Sequence, residues 1–322
     1  MKYIFLVAGK GSRLHPLTLE HPKSMFKLDE NTTLLQRMVK LLKKNDPEAD
    51  IVVVTGHMHR KIEEALEGVT FINNPFYAVT NSIASLWFAK EHLDADNIVV
   101  IDGDIVMSAQ LIREVVCQPV DRPVVLLDSS IKTDGDYNVQ VSGEKVLVMS
   151  KELKTYHGEY AGMTKLDRES AQLMLTEMED MIDNGYYDQW YENALVQLIF
   201  KHDFQLYYRD ICDYEWTEVD EVNDLIKALL SNLFSAHGAM WCSYPCIEKT
   251  KIVVYLGCRT HRRTGIFGSG LLVDGDGGRK AVDGVHIRLF HLPEEHTGIG
   301  GKRLHEAAVS LRIDGIKRKR GL

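Results

Sequence analysis

A loop near the start of the chain combines the residue types that bind polyphosphates. Residues 6–27 read LVAGKGSRLHPLTLEHPKSMFK and begin at the end of an apolar segment. Gly9 and Gly11 let the backbone approach phosphate oxygens closely, because neither residue carries a Cβ atom. The hydroxyl of Ser12 can donate a hydrogen bond to the same group. The segment therefore predicts a loop that holds a phosphorylated ligand.

Two basic residues of this loop, Arg13 and Lys23, bring positive charge to a polyanion, and Arg13 can form two parallel hydrogen bonds. A Gly-x-Gly pair alone is typical of an ordinary strand-to-helix turn. The loop also lacks the Gly-Lys-Ser/Thr ending of a Walker loop and the third glycine of a dinucleotide fingerprint. The complete pattern A-G-x-G-S-R-L-x-P-L-T-x-x-x-P-K instead predicts a nucleoside triphosphate site that is neither a Walker loop nor a dinucleotide-binding loop.

Two pairs of carboxylates could bind a metal ion beside this loop. Asp102 and Asp104 follow an apolar run in IVVIDGD, and Glu218 and Asp220 lie in EWTEVDEVNDL. Alternate residues share a face when the backbone is extended, and Mg²⁺ prefers oxygen ligands. The alternatives are a capped turn for the first pair and, for the second, acids favoured near a helix start. If both pairs reach one cation, Asp104 and Asp220 are the expected direct ligands.

The elements that must position these residues alternate between strand and helix patterns. Apolar runs predict strands at 3–7, 51–55, 70–72, 98–101 and 123–127, and helical spacing predicts helices at 34–44, 60–66, 81–93 and 109–117. This order predicts an α/β fold, with a Rossmann-like, mostly parallel sheet and helices on both faces. Ligands of such sheets bind at the carboxyl ends of the strands, where the phosphate loop and the Asp102 loop both lie.

The pattern changes after residue 127. Strands are expected at 138–141, 145–149, 160–165 and 205–209, and helices at 170–182, 190–201 and 222–233. The last helix is expected to close a catalytic domain that spans residues 1–230.

Composition limits the class of protein. Of the 322 residues, 45% are hydrophobic and 26% charged, which is typical of a globular protein. No apolar run is long enough to span a bilayer, so no membrane insertion is expected. The five cysteines are unevenly spaced and form no disulfide framework. A cytoplasmic setting is therefore predicted.

The C-terminal segment, residues 231–322, differs in composition and is expected to be separate, with no assigned fold. An accessory domain and a poorly ordered segment are the two alternatives. It carries a net charge of +7, whereas the rest of the chain carries −15. Cys242, Cys246, Cys258 and His261 offer the ligand types of a zinc site, but their loose spacing favours ordinary core residues. The basic ending KRKRGL is too short to favour a nucleic-acid partner.

Over residues 1–230 the chain resembles the phosphocholine cytidylyltransferase family of the sugar-phosphate nucleotidyltransferase superfamily. Besides the opening pattern, the resemblance rests on NNPFYAVTNSIASLWFA (73–89), IDGDIV (101–106), VMSKEL (148–153), GEYAGM (158–163), YDQWYENAL (187–195) and EWTEVDEVNDL (215–225). It implies a GT-A-like fold and Mg²⁺-dependent transfer of CMP from CTP to a small phosphorylated alcohol or amine, with release of pyrophosphate. The acceptor would be phosphocholine-like or aminoethylphosphonate-like.

The same resemblance implies roles for individual residues. Asp104 and Asp220 would bind Mg²⁺, Arg13 and Lys23 would bind the triphosphate, and Lys151 would contact the phosphate of the acceptor. The nucleotide-binding residues would be Leu6, Ala8, Gly9, Gly11, Ser12, Asn81, Ser85 and Asp102. The acceptor-binding residues would be Glu159, Tyr160, Asp188, Trp190 and Tyr191.

The acceptor residues mix aromatic rings with carboxylates, which suits an ammonium group. For Trp190 and Tyr191 the alternative is core packing on an amphipathic helix. The segment DGDYNVQV (134–141) departs from the family pattern, so acceptor choice can differ from that of the family.

Three questions stay open at the level of sequence. The activity could instead be that of a sugar-1-phosphate nucleotidylyltransferase that uses UTP or dTTP. A catalytically silent nucleotide-binding regulatory module is an alternative of a different class. The oligomeric state is also open, and a homodimer is one option.

Overall fold

The computed structural model describes residues 1–29, 31–132 and 137–236 and two further strands, Val253–Gly257 and His286–Phe290. The chain divides into two compact units, Met1–Gly238 and Ala239–Leu322. The strands of the first unit are β1 (Lys2–Leu6), β2 (Asp50–Thr55), β3 (Thr70–Asn73), β4 (Asn97–Asp102), β5 (Ile105–Met107), β6 (Val124–Asp128), β7 (Asn138–Ser142), β8 (Lys145–Ser150), β9 (Gly158–Asp167), β10 (Tyr207–Asp210) and β11 (Trp216–Glu218). Its helices are α1 (Leu34–Asn45), α2 (His59–Glu63), α3 (Ser82–Phe88), α4 (Ala109–Leu111), α5 (Arg168–Asp183), α6 (Glu192–His202) and α7 (Val222–Ala236).

Nine strands of the first unit form one sheet in the order β3-β2-β1-β4-β9-β6-β10-β8-β7. Strand β1 pairs in parallel with both β2 and β4. Strand β9 is antiparallel to both of its neighbours, β4 and β6. The predicted α/β class is therefore confirmed, while the sheet is mixed: parallel from β3 to β4, with antiparallel pairing at β9, β7 and β8.

The alternation of side chains along β1 divides the core into two layers. Ile4 and Leu6 face one layer, which includes Leu86 of α3 and Leu195 of α6. Tyr3, Phe5 and Val7 face the other layer, which includes Leu35, Met38 and Leu42 of α1. Because successive strand residues point to opposite faces, an almost continuous apolar run serves both layers. Helices therefore cover both faces of the sheet, as predicted.

Helix α1 illustrates how local sequence sets an element boundary. Its first turn is held by a capping box, in which Thr33 Oγ1 accepts from the Gln36 backbone at 3.3 Å and Gln36 Oε1 accepts from the Thr33 backbone at 2.9 Å. Such a pair satisfies two of the N–H groups that the first turn leaves without partners. The predicted helix at 34–44 is thus confirmed to within one residue.

The helix predicted at 109–117 is less regular than expected. It begins as α4 and continues as a π-helical turn over Ile112–Val116. Lys165 of β9 is buried against this turn and donates to the carbonyl oxygen of Val115 at 2.6 Å and to that of Gln118. The lysine thereby satisfies carbonyl groups at the end of the helix.

Two short strands that the sequence analysis did not predict form a separate ribbon. Strands β5 and β11 pair antiparallel, with Glu218 opposite Ile105. At the end of this ribbon the backbone N–H of Val219 donates to the carbonyl oxygen of Asp104 at 3.0 Å. The ribbon therefore joins two segments that are more than a hundred residues apart along the chain.

The predicted domain boundary at residue 230 falls inside α7, because the apolar helical pattern continues to Ala236. In the second unit, β12 (Val253–Gly257) pairs antiparallel with β13 (His286–Phe290). The four residues considered for zinc lie outside the described residues, and the separate role of the C-terminal segment stays a prediction. Among the helices that the structure describes, none has the length and apolar character needed to cross a membrane.

Gly103 joins β4 to the carboxylate loop under a tight steric constraint. Its N–H donates to the carbonyl oxygen of Leu6 at 3.0 Å. A Cβ atom here would lie 2.4 Å from Val7 Cγ1 and 2.6 Å from Leu6 O. The loop can therefore lie this close to β1 only with glycine at this position.

We expect Gly103→Ala to lower the free energy of unfolding by about 1–3 kcal/mol, because the backbone must shift to relieve overpacking. Urea unfolding measures this. Gly9→Ala is the matched control, since an added Cβ at Gly9 meets no atom within 4 Å. Equal stability losses in the two variants would contradict the steric explanation.

Candidate active site

Three carboxyl groups meet where the β5–β11 ribbon joins the main sheet. Oxygen atoms of Asp104, Glu218 and Asp220 all lie within 4.8 Å of one another. Asp104 precedes β5, Glu218 ends β11, and Asp220 follows it. The backbone at Asp220 is held by Asp224 of α7, whose Oδ2 accepts from the Asp220 N–H at 3.1 Å. Two loops and a helix start thus converge on one acidic centre.

Two basic residues of the phosphate loop contact this acidic centre. Lys23 Nζ lies 2.7 Å from Asp104 Oδ2 and also donates to Asp220 Oδ1. Arg13 Nη2 lies 2.6 Å from Asp220 Oδ2. Although burial of the ammonium opposes it, the charges of Asp104 and Asp220 raise the pKa of Lys23. Lys23 is therefore positively charged at neutral pH.

Burial and mutual repulsion raise the pKa values of carboxyl groups in and beside the acidic centre. Burial, together with the charges of Asp104 and Asp220, raises the pKa of Glu218 to about 10. Burial raises the pKa of Asp102 as well, and Glu192 and Asp104 add to that shift. Such crowding of acids in a cleft is typical of a functional site.

The donor set fits a Mg²⁺ ion. Asp104 Oδ1 is buried and has no hydrogen-bond partner among the described residues, which leaves an acceptor available for a cation. Carboxylate oxygens are the ligands that Mg²⁺ prefers in proteins. Asp104 and Asp220 would hold the ion, as the sequence predicts, and Glu218 is a third candidate ligand that the prediction left out.

The phosphate loop forms the wall of a cavity above the acidic centre. Gly11 adopts a left-handed conformation with φ of 62°, and Thr18 Oγ1 donates to its carbonyl oxygen at 2.7 Å. Short 3₁₀ turns follow at Ser12–Leu14 and Lys23–Met25. The cavity is lined by residues of both the loop and the acidic centre, including Gly9, Gly11, Ser12, Arg13, Lys23, Asp104 and Asp220.

A second cavity adjoins the first and shares part of its lining. The shared residues are Leu6, Gly9, Arg13, Asn81, Gly103 and Asp104. Ala8, Ser85 and Asp102 also line the second cavity, so the predicted nucleotide-binding residues surround the two cavities together. Asn81 is the N-cap of α3 and accepts from the Ser82 N–H at 2.9 Å, and the buried Asn74 donates to Ser85 Oγ at 3.0 Å.

The far wall of the second cavity is aromatic. Tyr137, Tyr160 and Trp190 line it, with the Tyr137 ring centroid 5.0 Å from that of Trp190 and 6.1 Å from that of Tyr160. Lys151 lines the same cavity, and its ammonium nitrogen lies 3.9 Å from the Trp190 ring centroid. The wall can therefore hold a cation, and the charge of Lys151 acts on the carboxyl group of Glu192.

Three of the predicted acceptor residues lie outside this cavity lining. Tyr191 is fully buried, and its hydroxyl lies 2.5 Å from that of Tyr160, so it packs in the core and supports Tyr160. Asp188 is exposed and accepts from Gln189 Nε2 at 3.0 Å. Glu159 lies on β9 opposite Asp128, where strand alternation points its side chain away from the face that carries Tyr160.

Several residues that line the second cavity were not among the predicted site residues: Tyr77, Thr80, Ser82, Gly103, Tyr137, Gly162, Glu192 and Glu218. Tyr137 lies in the segment that departs from the family pattern. Glu192 begins α6 and is 5% exposed. Burial, and to a smaller extent the charge of Asp104, raise the pKa of Glu192 to about 8. Glu192 lies in YDQWYENAL, one of the segments that resemble the family. An acid at a helix start is, however, expected from its favourable interaction with the helix dipole alone.

Comparison with known proteins identifies the family of this chain. Residues 3–168 match the family described as the MobA-like NTP transferase domain. The chain belongs to this family. The match includes the phosphate loop, Asp104, Lys151 and Tyr160. The chain is therefore a nucleotidyltransferase, which confirms the predicted enzyme class, EC 2.7.7.

Curated relatives of this MobA-like NTP transferase extend the similarity. The choline-phosphate cytidylyltransferase of Streptococcus pneumoniae (strain ATCC BAA-255 / R6) is 25% identical over 233 residues, which cover 70% of this chain and 96% of that protein. The CMP-5'-(3-aminopropyl)phosphonate synthase of Streptomyces rubellomurinus (strain ATCC 31215) is 24% identical over 247 residues, which cover 71% of this chain and 38% of that protein.

A solved structure shows the same fold. The CTP:phosphocholine cytidylyltransferase from Streptococcus pneumoniae superimposes with a TM-score of 0.61 at 23% identity, covering 72% of this chain and 98% of that chain. The predicted nucleotidyltransferase fold is thereby confirmed.

The buried Glu192 makes stability depend on pH. Its pKa is about 8 in the folded protein against an ordinary value of 4.5, so the folded state binds more protons between these values. The free energy of unfolding should therefore fall as the pH rises through this window. Glu192→Gln cannot ionise and should reduce the fall.

Urea unfolding at about pH 5 and about pH 8, with chelator present, measures this difference. Glu152→Gln is the control, because Glu152 is exposed. If Glu192→Gln keeps the full wild-type pH dependence, another group is responsible.

Proposed function

We propose that this MobA-like NTP transferase transfers CMP from CTP to a small phosphorylated alcohol or amine and releases pyrophosphate. One observation carries the proposal: the phosphate loop, the acidic centre and the aromatic wall line two adjoining cavities that share six residues and together form the cleft. The cleft offers a place for a polyphosphate beside a place for a small organic cation. Relatives named for CTP-dependent reactions with choline phosphate and with an aminophosphonate support the choice of substrates.

The transfer needs alignment and charge neutralisation more than covalent help from the protein. A phosphate oxygen of the acceptor attacks the α-phosphorus of CTP, a new P–O bond forms, and the bond to the β-phosphate oxygen breaks. The electron pair leaves with pyrophosphate. Because the attacking oxygen is already ionised at neutral pH, the reaction requires no general base.

Each basic residue of the cleft has a distinct role in this proposal. Arg13 and Lys23 stabilise negative charge on the triphosphate and the leaving pyrophosphate. Lys151 orients the phosphate of the acceptor. Mg²⁺, held by Asp104 and Asp220, would neutralise phosphate charge beside them.

The acceptor's organic end belongs at the aromatic wall of Tyr137, Tyr160 and Trp190. Aromatic faces attract ammonium groups through cation–π interactions, and Glu192 adds a carboxyl group to the same cavity. Phosphocholine-like and aminoethylphosphonate-like acceptors fit this arrangement. A cytoplasmic setting stays a prediction.

A screen of acceptors against nucleotides tests the proposal. Pyrophosphate release should be fastest with CTP and an amine-bearing phosphate or phosphonate, and the product mass should show a CMP adduct. Release with UTP or dTTP and a sugar 1-phosphate would favour that alternative activity. Nucleotide binding without release from any pair would favour a silent regulatory module.

We expect Asp104→Asn to reduce turnover by at least about a hundredfold, because it removes charge from the acidic centre. The free energy of unfolding of this variant should stay near the wild-type value. Asp121→Asn is a matched control at an exposed position. Undiminished turnover in Asp104→Asn would exclude the proposed metal role of Asp104.

We expect Lys151→Met to raise KM for the acceptor about tenfold or more while changing KM for CTP little, because it removes one charge-assisted hydrogen bond to the acceptor. Lys154→Met, in the same turn and exposed, is the control. Initial-rate measurements with each substrate varied separately give both constants. A larger effect on KM for CTP would place Lys151 at the nucleotide instead.

A further inference from the structure

The two cations that should bind the triphosphate contact the same carboxylates that should bind the metal. Lys23 bridges Asp104, at 2.7 Å, and Asp220. Arg13 lies 2.6 Å from the second oxygen of Asp220. Both basic residues also line the cavity of the phosphate loop. These contacts set up a competition between the basic side chains and a divalent cation for the same carboxylates.

Either Lys23 with Arg13 or one divalent cation can neutralise Asp104 and Asp220, because both alternatives carry two positive charges. Lys23 and Arg13 together carry two positive charges, which match the two negative charges of Asp104 and Asp220. A divalent cation supplies the same charge to the same oxygens. If the cation takes those oxygens, Lys23 and Arg13 lose these contacts. Lys23, which is largely buried, then needs another anion, because a buried ammonium without an opposite charge is costly. Triphosphate oxygens in the adjoining cavity are suitable anions.

We propose that Lys23 and Arg13 exchange partners when a divalent cation and a nucleoside triphosphate bind, moving from the carboxylates to the phosphates. Each ligand then relieves a cost of binding the other, so cation and triphosphate bind cooperatively. The exchange rests on the proposed function for the identity of the phosphate ligand. Its effect on cation binding does not depend on that identity.

Lys23 should contribute more to this exchange than Arg13. The Lys23 side chain is 13% exposed and contacts both Asp104 and Asp220, whereas that of Arg13 is 56% exposed and contacts Asp220. Water screens an exposed ion pair and weakens it. Lys23 is therefore the main competitor of the cation, and Arg13 is a weaker one.

The test measures cation binding to the full-length protein in the absence of nucleotide. In Lys23→Met the competing ammonium is gone, so Mn²⁺ should bind at least about tenfold more tightly than to wild type. In the same variant, CTP with Mg²⁺ should bind at least about tenfold more weakly, because a phosphate partner is lost. Isothermal titration calorimetry gives both affinities. A lysine that serves only the phosphates would change the second affinity and leave the first unchanged.

Lys10→Met is the matched control for net charge. Lys10 lies in the same loop, but its ammonium is placed over the Tyr77 ring, 6.0 Å from the centroid, instead of on the carboxylates. Mn²⁺ affinity in this variant should stay within about threefold of wild type, because distant exposed charges are screened. Lys23→Arg keeps the positive charge and should also show no tightening.

The proposal is overturned if Lys23→Met binds Mn²⁺ no more tightly than wild type or Lys10→Met does. If Lys23→Met does not fold, Arg13→Met is tested in its place. This variant should bind Mn²⁺ more tightly than wild type, by a smaller factor, and unchanged binding would overturn the proposal. Lys23→Met could bind Mn²⁺ more tightly while CTP binds to no variant. That result would contradict CTP as the nucleotide but would still support competition between Lys23 and the cation.

Discussion

Repulsion among carboxylates at short range is the constraint on which this site depends. Asp104, Glu218 and Asp220 bring oxygen atoms within 4.8 Å of one another where water screens them poorly. Two effects relieve the repulsion: burial and the neighbouring charges raise the pKa of Glu218 to about 10, so it stays protonated at neutral pH, and cations neutralise Asp104 and Asp220. The phosphate loop supplies these cations through Lys23 and Arg13. Lys23 is 81 residues from Asp104 and 197 from Asp220 along the chain, so the fold alone brings these groups together. The loop and the acidic centre therefore form one electrostatic unit.

The backbone that assembles this unit consists of two pairings. Parallel pairing of β1 with β4 places Leu6 beside Asp102, so the loops that follow both strands begin side by side. Antiparallel pairing of β5 with β11 brings Glu218 next to Ile105. Gly103 links the two pairings and contacts β1 so closely that a Cβ atom would lie 2.6 Å from Leu6 O. The geometry of the site thus depends on main-chain contacts as much as on charged side chains.

The parts of this arrangement that depend on short stretches of sequence could be predicted. The loop around Gly9 and Arg13 and the β-α order of the first half could be predicted, because periodicity and residue type are local properties. The β5–β11 ribbon could not, since three-residue strands carry almost no periodic signal and are defined by a partner more than a hundred residues away. Tyr191 shows a second limit: an aromatic at a helix start looks alike in sequence whether it lines a cavity or, as here, packs fully buried against Tyr160.

The two halves of the sheet carry different parts of the cleft. The parallel half, through the ends of β1 and β4, carries the phosphate loop and the first carboxylates. The other half, which is mostly antiparallel apart from the parallel pair of β6 and β10, carries the aromatic cavity. Tyr137 precedes β7, Lys151 follows β8, and Tyr160 lies in β9. Loops that connect strands accept sequence changes more readily than the strands themselves, and Tyr137 and Lys151 both lie in such connections. Under the proposed function, acceptor choice can change in this half while the other half keeps its phosphate chemistry. This is consistent with a family-like phosphate loop beside an unfamiliar segment at Tyr137.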